Sequence, residues 1–268
     1  MGKAVYDNKK AQRTLHPSYM TPYHIQAQWA EYVRLKETIG RVYEERKRPL
    51  TILDIGIGYA RIPILLSLVK TWKKIARYVG IDISQRCVTQ SRRIVASKKI
   101  ADKVEIIRFD AVDLSTANKK FLKQGTVDVC LCTYFTAGDF RPESILLETE
   151  DNGRIVGYDL DALRPNRSFV AVFRGAFDLL GDCGKIVLGS VYCDNNLARK
   201  VQEEFYRRCG MTVITSQKDP FTATKEGFWS ERFNEEKIHK YLPWVSPSRI
   251  EEIPLDDYNF ALMVIVNK

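Results

Sequence analysis

Between residues 50 and 189 the chain repeats one pattern: a short apolar run rich in β-branched residues, then a stretch with helical spacing, then another such run. The runs are Leu50–Ile55, Tyr78–Asp82, Val104–Ile107, Val127–Cys132 and Gly184–Gly189. They are continuous rather than alternating, as in strands buried on both faces. Helices between such strands act as crossovers, so the rhythm predicts an α/β fold with a mostly parallel sheet. The spacing places those helices at 59–72, 84–99, 168–180 and 195–209.

Outside this block, residues 1–21 read as a polar, extended segment. Thr21-Pro22 reads as an N-cap followed by proline at the first helical position. Ile25, Trp29, Tyr32, Ile39 and Tyr43 then follow at helical spacing, predicting an amphipathic helix over 22–46 that Pro49 ends. Met211–Thr215 and Phe260–Val266 read as two further strands, which makes seven. The last has no crossover after it, so an antiparallel edge position is expected. Two stretches break the rhythm, at about 138–167 and 217–256. The first carries Asp151-Asn152-Gly153, a hairpin turn signal. Both are too long for ordinary connections and are expected to form a substrate cap. The expected organisation is an N-terminal extension and helix at 1–49, with one α/β domain over 50–268.

Composition excludes several classes. With 45% apolar residues in 268, the chain can bury a full core. It has no run of 18 apolar residues, so no membrane helix is expected. Its first residues carry no apolar leader, and Tyr6 stands where a myristoylation signal wants Ser or Thr, so a cytoplasmic location is expected. The six cysteines form no CxxC pair and read as free thiols, and three histidines make an imidazole-rich metal centre unexpected. Charge is uneven: residues 1–134 carry 25 Lys and Arg against 12 Asp and Glu, whereas 135–268 carry 17 against 21. A basic half can face phosphates, but these cations come mostly as dispersed doublets suited to solvated helix faces.

The decisive stretch is Asp54-Ile55-Gly56-Ile57-Gly58-Tyr59-Ala60-Arg61, where the first strand runs into a helix. Glycines here let backbone approach a ligand, and a helix N-terminus favours an electron-rich group. The second strand ends in Asp82, whose carboxylate can accept ribose hydroxyl protons. The third ends near Asp110-Ala111, where a carboxylate and an N–H can read an adenine edge. Three such features at the carboxyl ends of successive parallel strands point to a nucleoside-type cofactor. A dinucleotide is disfavoured, because the fingerprint's last small residue is replaced by Arg61.

The string Asp54-x-Gly56-x-Gly58-x-Ala60 resembles the first motif of class I S-adenosylmethionine-dependent methyltransferases, with Asp82 and Asp110 at that family's next two acidic positions. Tyr206–Val213 resembles the family's entry into its sixth strand. The resemblance covers about 50–216 and 257–267, and departs at Ala60, where glycine is usual. It implies a Rossmann-like three-layer sandwich, a seven-stranded sheet with its last strand antiparallel, and S-adenosyl-L-methionine as cofactor. Carried over, Gly56 and Gly58 would approach the methionine and ribose, and Asp54 the amino group. Asp82 would hold the ribose hydroxyls, with Asp110 and Ala111 at the adenine. Ile83 would pack on a cofactor face, Tyr59 and Arg61 would lie at the methionine end, and Thr133 at the exit of the fourth strand completes the expected set.

For the acceptor, the fourth-strand exit Cys132–Asp139 lacks the (D/N/S)-P-P-(Y/F) of nucleobase-amine enzymes, and Cys132-Thr133 does not match a cytosine-C5 nucleophile. Tyr19, Tyr23, His24, Tyr134, Asp139, Phe228 and Trp229 are the candidates for an acceptor pocket, with Tyr23, His24, Tyr134 and Asp139 as candidate catalytic groups. The expected function is methyl transfer to N or O of a small molecule. The alternatives are an RNA or protein methyltransferase using the basic half, and a non-catalytic cofactor-binding module.

Overall fold

The computed structural model describes residues 8–141, 147–149, 155–158 and 166–268. Its centre is a seven-stranded sheet built from β1 (Leu50–Ile55), β2 (Ile75–Asp82), β3 (Val104–Arg108), β4 (Val127–Cys132), β7 (Leu180–Tyr192), β10 (Ile250–Pro254) and β11 (Ala261–Asn267). The spatial order is β3-β2-β1-β4-β7-β11-β10. β1 to β4 and β7 pair in parallel, while β11 is antiparallel to both its neighbours. Two short strands, β5 (Leu147–Thr149) and β6 (Ile155–Tyr158), pair antiparallel with Leu147 opposite Tyr158. This is the expected hairpin; its Asp151-Asn152-Gly153 turn lies outside the described residues. β8 (Phe221–Ala223) and β9 (Trp229–Glu231) form a second hairpin.

Helices cover both faces. They are α1 (Lys9–Gln12), α2 (Pro22–Arg46), α3 (Arg61–Ser67), α4 (Gln85–Ser97), α5 (Arg167–Leu179), α6 (Asn196–Arg208) and α7 (Glu235–Tyr241). Side chains along β1 alternate between the layers: Leu50 and Ile52 join Leu35, Ile39 and Val42 of α2 and Val88 of α4, while Leu53 and Ile55 join Phe169 and Phe173 of α5. Period-2 alternation on a doubly covered sheet produces this division.

The structure corrects four expectations. Residues 8–19 are not extended but form α1 and two short 3-10 turns, Arg13–Leu15 and Pro17–Tyr19. In α2, whose limits match the expected ones, the buried stripe is His24, Ala27, Glu31, Leu35 and Ile39, leaving Ile25 and Trp29 at 55% and 65% exposure. Among the described residues, 211–215 make no strand but one isolated bridge, Val213 to Thr224. The place beside β11 belongs instead to β10, inside the stretch expected to be an insertion, so the last strand is antiparallel as expected but lies between β7 and β10 rather than at the edge. The β10 sequence, Ile-Glu-Glu-Ile-Pro, is a half-exposed edge strand with little apolar signal, and Pro254 closes it as edge strands allow.

Candidate functional site

The site is assembled at the carboxyl edge of the parallel strands. After β1 the chain turns sharply, with Gly56 N–H and Ile57 N–H both donating to the Ile81 carbonyl at 2.9 and 3.0 Å. Gly56 and Gly58 take φ of +72° and +54°. A Cβ at Gly56 would stand 2.5 Å from Thr136 Cγ2, so conformation and space both require glycine there. Ala60, at the place where the resembled motif carries glycine, adopts φ +57° and enters α3 directly, at a steric cost of about 1–2 kcal/mol. Gly80, which sequence reasoning passed over, completes the turn from below: a side chain on it would overlap Ile57.

Three of the expected carboxylates and their neighbours surround this turn. Asp82 is buried; its Oδ2 accepts the Gly58 N–H at 3.0 Å and its Oδ1 the Ser84 N–H at 2.9 Å, so it fastens the first turn to the second. Asp110 is half-buried and caps its own turn through the Val112 N–H at 3.2 Å, with Ala111 buried beside it. Ile83 and Tyr59 are half-buried at the rim. Asp54 lies beneath the turn, fully enclosed. Its Oδ2 accepts the Tyr78 hydroxyl at 2.6 Å, and its Oδ1 has no hydrogen-bond partner among the described residues. Burial, against the opposing bond from Tyr78 and the attraction of Arg61, raises its carboxyl to about 7. An acid held near neutrality with one orphaned oxygen is a group prepared for a cationic or hydrogen-bonding partner.

Arg61 does not point freely into solvent. Its guanidinium pairs with Glu31 at 2.8 Å and lies 5.0 Å from the centre of the Tyr134 ring. Glu31, absent from the sequence-based site, is its organising residue. Fully buried on α2, it accepts through Oε2 from Tyr134 N–H at 2.9 Å, Ser190 N–H at 2.5 Å and the Ser190 hydroxyl at 2.8 Å. One carboxylate thereby joins α2, the start of α3, the exit of β4 and β7. The β4 exit is strained: Tyr134 and Phe135 take successive φ of +55° and +61°, with Thr133 buried before them. Such strain in non-glycine residues clusters at ligand sites. The available signal was the Ala27-Glu31-Leu35 spacing, an acid in the middle of an i, i+4 apolar row.

The catalytic candidates separate. His24 is not an exposed base but a core residue. Its Nδ1 lies 2.7 Å from Thr21 Oγ1 and its Nε2 2.8 Å from the Tyr192 hydroxyl, with Phe205 packed at 4.3 Å between ring centres. Burial, aided by Arg208, lowers it to about 3. Tyr23 packs edge-on to Tyr258 and at a tilt on Phe260. Tyr134 and Asp139 remain at the β4 exit, on a turn that Gly138 seats against Glu231 and Ser230 of β9. Tyr19 packs against the α6 end, and Phe228 and Trp229 are buried, Trp229 stacked on Phe221 at 3.8 Å. Phe228 fastens the insertion to the body through Tyr206 of α6, 4.9 Å between ring centres, as does fully buried Arg232, bonded to Gln202 of α6 at 2.9 Å. Cys132 is buried in β4, where burial drives its thiol far up, so it is no thiolate.

Two opposed linkages follow. His24 binds its proton more weakly folded (about 3) than at its ordinary 6.5, so its contribution is complete above 6.5 and lost as pH falls. Asp54 holds its proton more tightly folded (about 7) than at 3.8, so its contribution is complete below 3.8 and lost as pH rises. Between 3.8 and 6.5 the slopes oppose, each at most about 1.4 kcal/mol per pH unit. Urea unfolding of Asp54→Asn is therefore expected to show stability rising with pH across this window, and His24→Phe the reverse. Curves parallel to wild type would remove both groups from the balance.

No protein-family model matches the chain, and no curated protein matches it. Solved structures do. A SAM-dependent methyltransferase from Aquifex aeolicus is similar over 97% of this chain and 98% of its own, at 14% identity and TM-score 0.53. An S-adenosylmethionine-dependent methyltransferase from Clostridium acetobutylicum is similar over 88% and 91%, at 12% identity and TM-score 0.52. A protein from Pyrococcus horikoshii is similar over 88% and 90%, at 16% identity and TM-score 0.51. The Rossmann-like sheet of this chain, with its antiparallel penultimate position, is thus the fold of these proteins.

Proposed function

We propose that this chain transfers a methyl group from S-adenosyl-L-methionine to nitrogen or oxygen of a small molecule. The observation that carries the reading is the orphaned Oδ1 of buried Asp54, beneath a glycine turn whose Gly58 N–H is held by Asp82. The residues fit the cofactor part by part. Asp54 would take the amino group, and the turn that Gly56 and Gly58 permit at positive φ would pass beside the methionine and ribose. Asp82 would accept from the ribose hydroxyls; a carboxylate offers about four acceptor positions, so this is compatible with its backbone bonds. Ile83 offers an apolar rim, and Asp110 with the Ala111 N–H matches an adenine edge. Tyr59, Arg61 and Thr133 would line the methionine end. The bound cofactor supplies an activated sulfonium methyl, so the chain's own task is to align an acceptor and exclude water, a contribution of up to about 7–11 kcal/mol. Tyr134 and Asp139, on the β4 exit, are the groups proposed to face that acceptor.

The small-molecule reading is favoured over RNA by where the cations go. Arg46 and Arg48 pair with buried Asp128, Arg61 with Glu31 and Arg77 with Glu105, while Arg92 binds the Ile106 carbonyl. These charges of the basic half serve the fold. RNA binding with a steep salt dependence would reverse the preference.

Calorimetry with S-adenosylhomocysteine tests the reading. A cationic amino group arriving beside Asp54 lowers its carboxyl from about 7, so binding should release a proton and tighten between pH 6 and 8. An affinity indifferent to pH would detach Asp54 from the ligand, and no binding at all would end the assignment.

A further inference from the structure

The space between the glycine turn and the β4 exit, the proposed cofactor crevice, is bridged by residues outside the expected set. On one side, Leu15 Cδ2 stands 3.5 Å from where a Cβ would project at Gly58, so its side chain lies on the bare face of the glycine turn. On the other, the Tyr134 hydroxyl donates to the Thr14 carbonyl at 3.4 Å. Residues 14 and 15 therefore span from the turn after β1 to the turn after β4. The anchors of this segment lie elsewhere. Lys10 pairs with Glu226 at 2.7 Å, Arg13 donates to the Cys209 carbonyl at 3.0 Å, and Arg208 donates to the Met20 carbonyl at 3.0 Å. Ala11 and Met20 are packed into an apolar cluster with Phe205, Tyr206 and Phe228. Extended residues at His16 and Met20 separate the helical turns and give the segment places to bend.

We propose that Leu15 is a binding residue of this crevice, the underside of a roof formed by residues 9–20 that closes on the adenosyl ligand and sets how long it stays. The proposal rests on the cofactor reading above. A half-buried leucine offers the ligand an apolar cover and keeps water from it, whereas the polar anchors hold the roof from α6 and from the β8–β9 connection without occupying the crevice. Opening must then precede ligand exchange.

The test is the dissociation rate of S-adenosylhomocysteine by stopped flow, from wild type, Leu15→Ala and the doubly altered Lys10→Glu/Arg13→Ala chain, with thermal melting to show that each is folded. Both variants are expected to release the ligand roughly three- to tenfold faster, the range that losing a small apolar contact or an ion pair with one hydrogen bond allows. The ligand is also expected to slow tryptic cleavage after Lys9, Lys10 and Arg13 in wild type. Release at the wild-type rate, or tighter binding by Leu15→Ala, would overturn the roof while leaving the cofactor reading intact. Failure of wild type to bind the ligand would remove both.

Discussion

Glu31→Ala is expected to lower the unfolding free energy by about 3–5 kcal/mol, the cost of breaking a buried ion pair from one side. The change strips acceptors from three donors at once: Tyr134 N–H, Ser190 N–H and the Ser190 hydroxyl. It also leaves the Arg61 guanidinium without its counter-charge in a site only 28% exposed. Nothing nearby replaces the carboxylate easily, because a Cβ on Gly189 would already sit 2.5 Å from Glu31 Oε2; the backbone has approached to the limit that glycine permits. Glu31→Gln keeps an acceptor oxygen and most of the volume, so it should recover part of the loss. Urea unfolding checks the pair. A loss below about 1 kcal/mol for Glu31→Ala would place this carboxylate among weak surface pairs and would contradict its role in shaping the β4 exit.

Asp82→Ala is expected to weaken S-adenosylhomocysteine binding by at least tenfold and up to about a hundredfold, since hydrogen bonds to charged acceptors are worth about 1.5–3 kcal/mol. Two effects add. The ribose acceptor is removed, and the tethers to Gly58 and Ser84 go with it, so both turns lose the conformation in which they meet the ligand. Asp110→Ala should cost less, because Asp110 is half-buried and its one described bond caps only its own turn. Calorimetry orders the two variants; equal, small losses would move the ribose away from Asp82.

The sheet was legible because burying strands on both faces leaves continuous apolar runs, and β1 and β4 were bounded to the residue. The edge was not. β10 carries two adjacent glutamates between its isoleucines on a half-exposed border, so its pattern is faint, and the stronger run at 211–215 drew the expectation away. Similarly, α2 was recognised from its cap and proline, but Ile25 and Trp29 outweighed His24 and Glu31 in any count of hydrophobicity. Only tertiary partners (Tyr192 and Thr21 for one, Arg61 and Ser190 for the other) make it favourable to bury those polar groups.

By itself the amino-acid string determined the α/β rhythm, the glycine turn and the acids at three strand ends, because each depends on local spacing and backbone freedom. Tertiary structure alone decided that Asp54 keeps an oxygen unpartnered among the described residues, that His24 is core, that Glu31 ties four elements together and that Leu15 lies against the glycine turn. Those outcomes depend on which distant groups meet in a water-poor interior, where pairing or its absence fixes charge, and chain order does not encode such meetings locally.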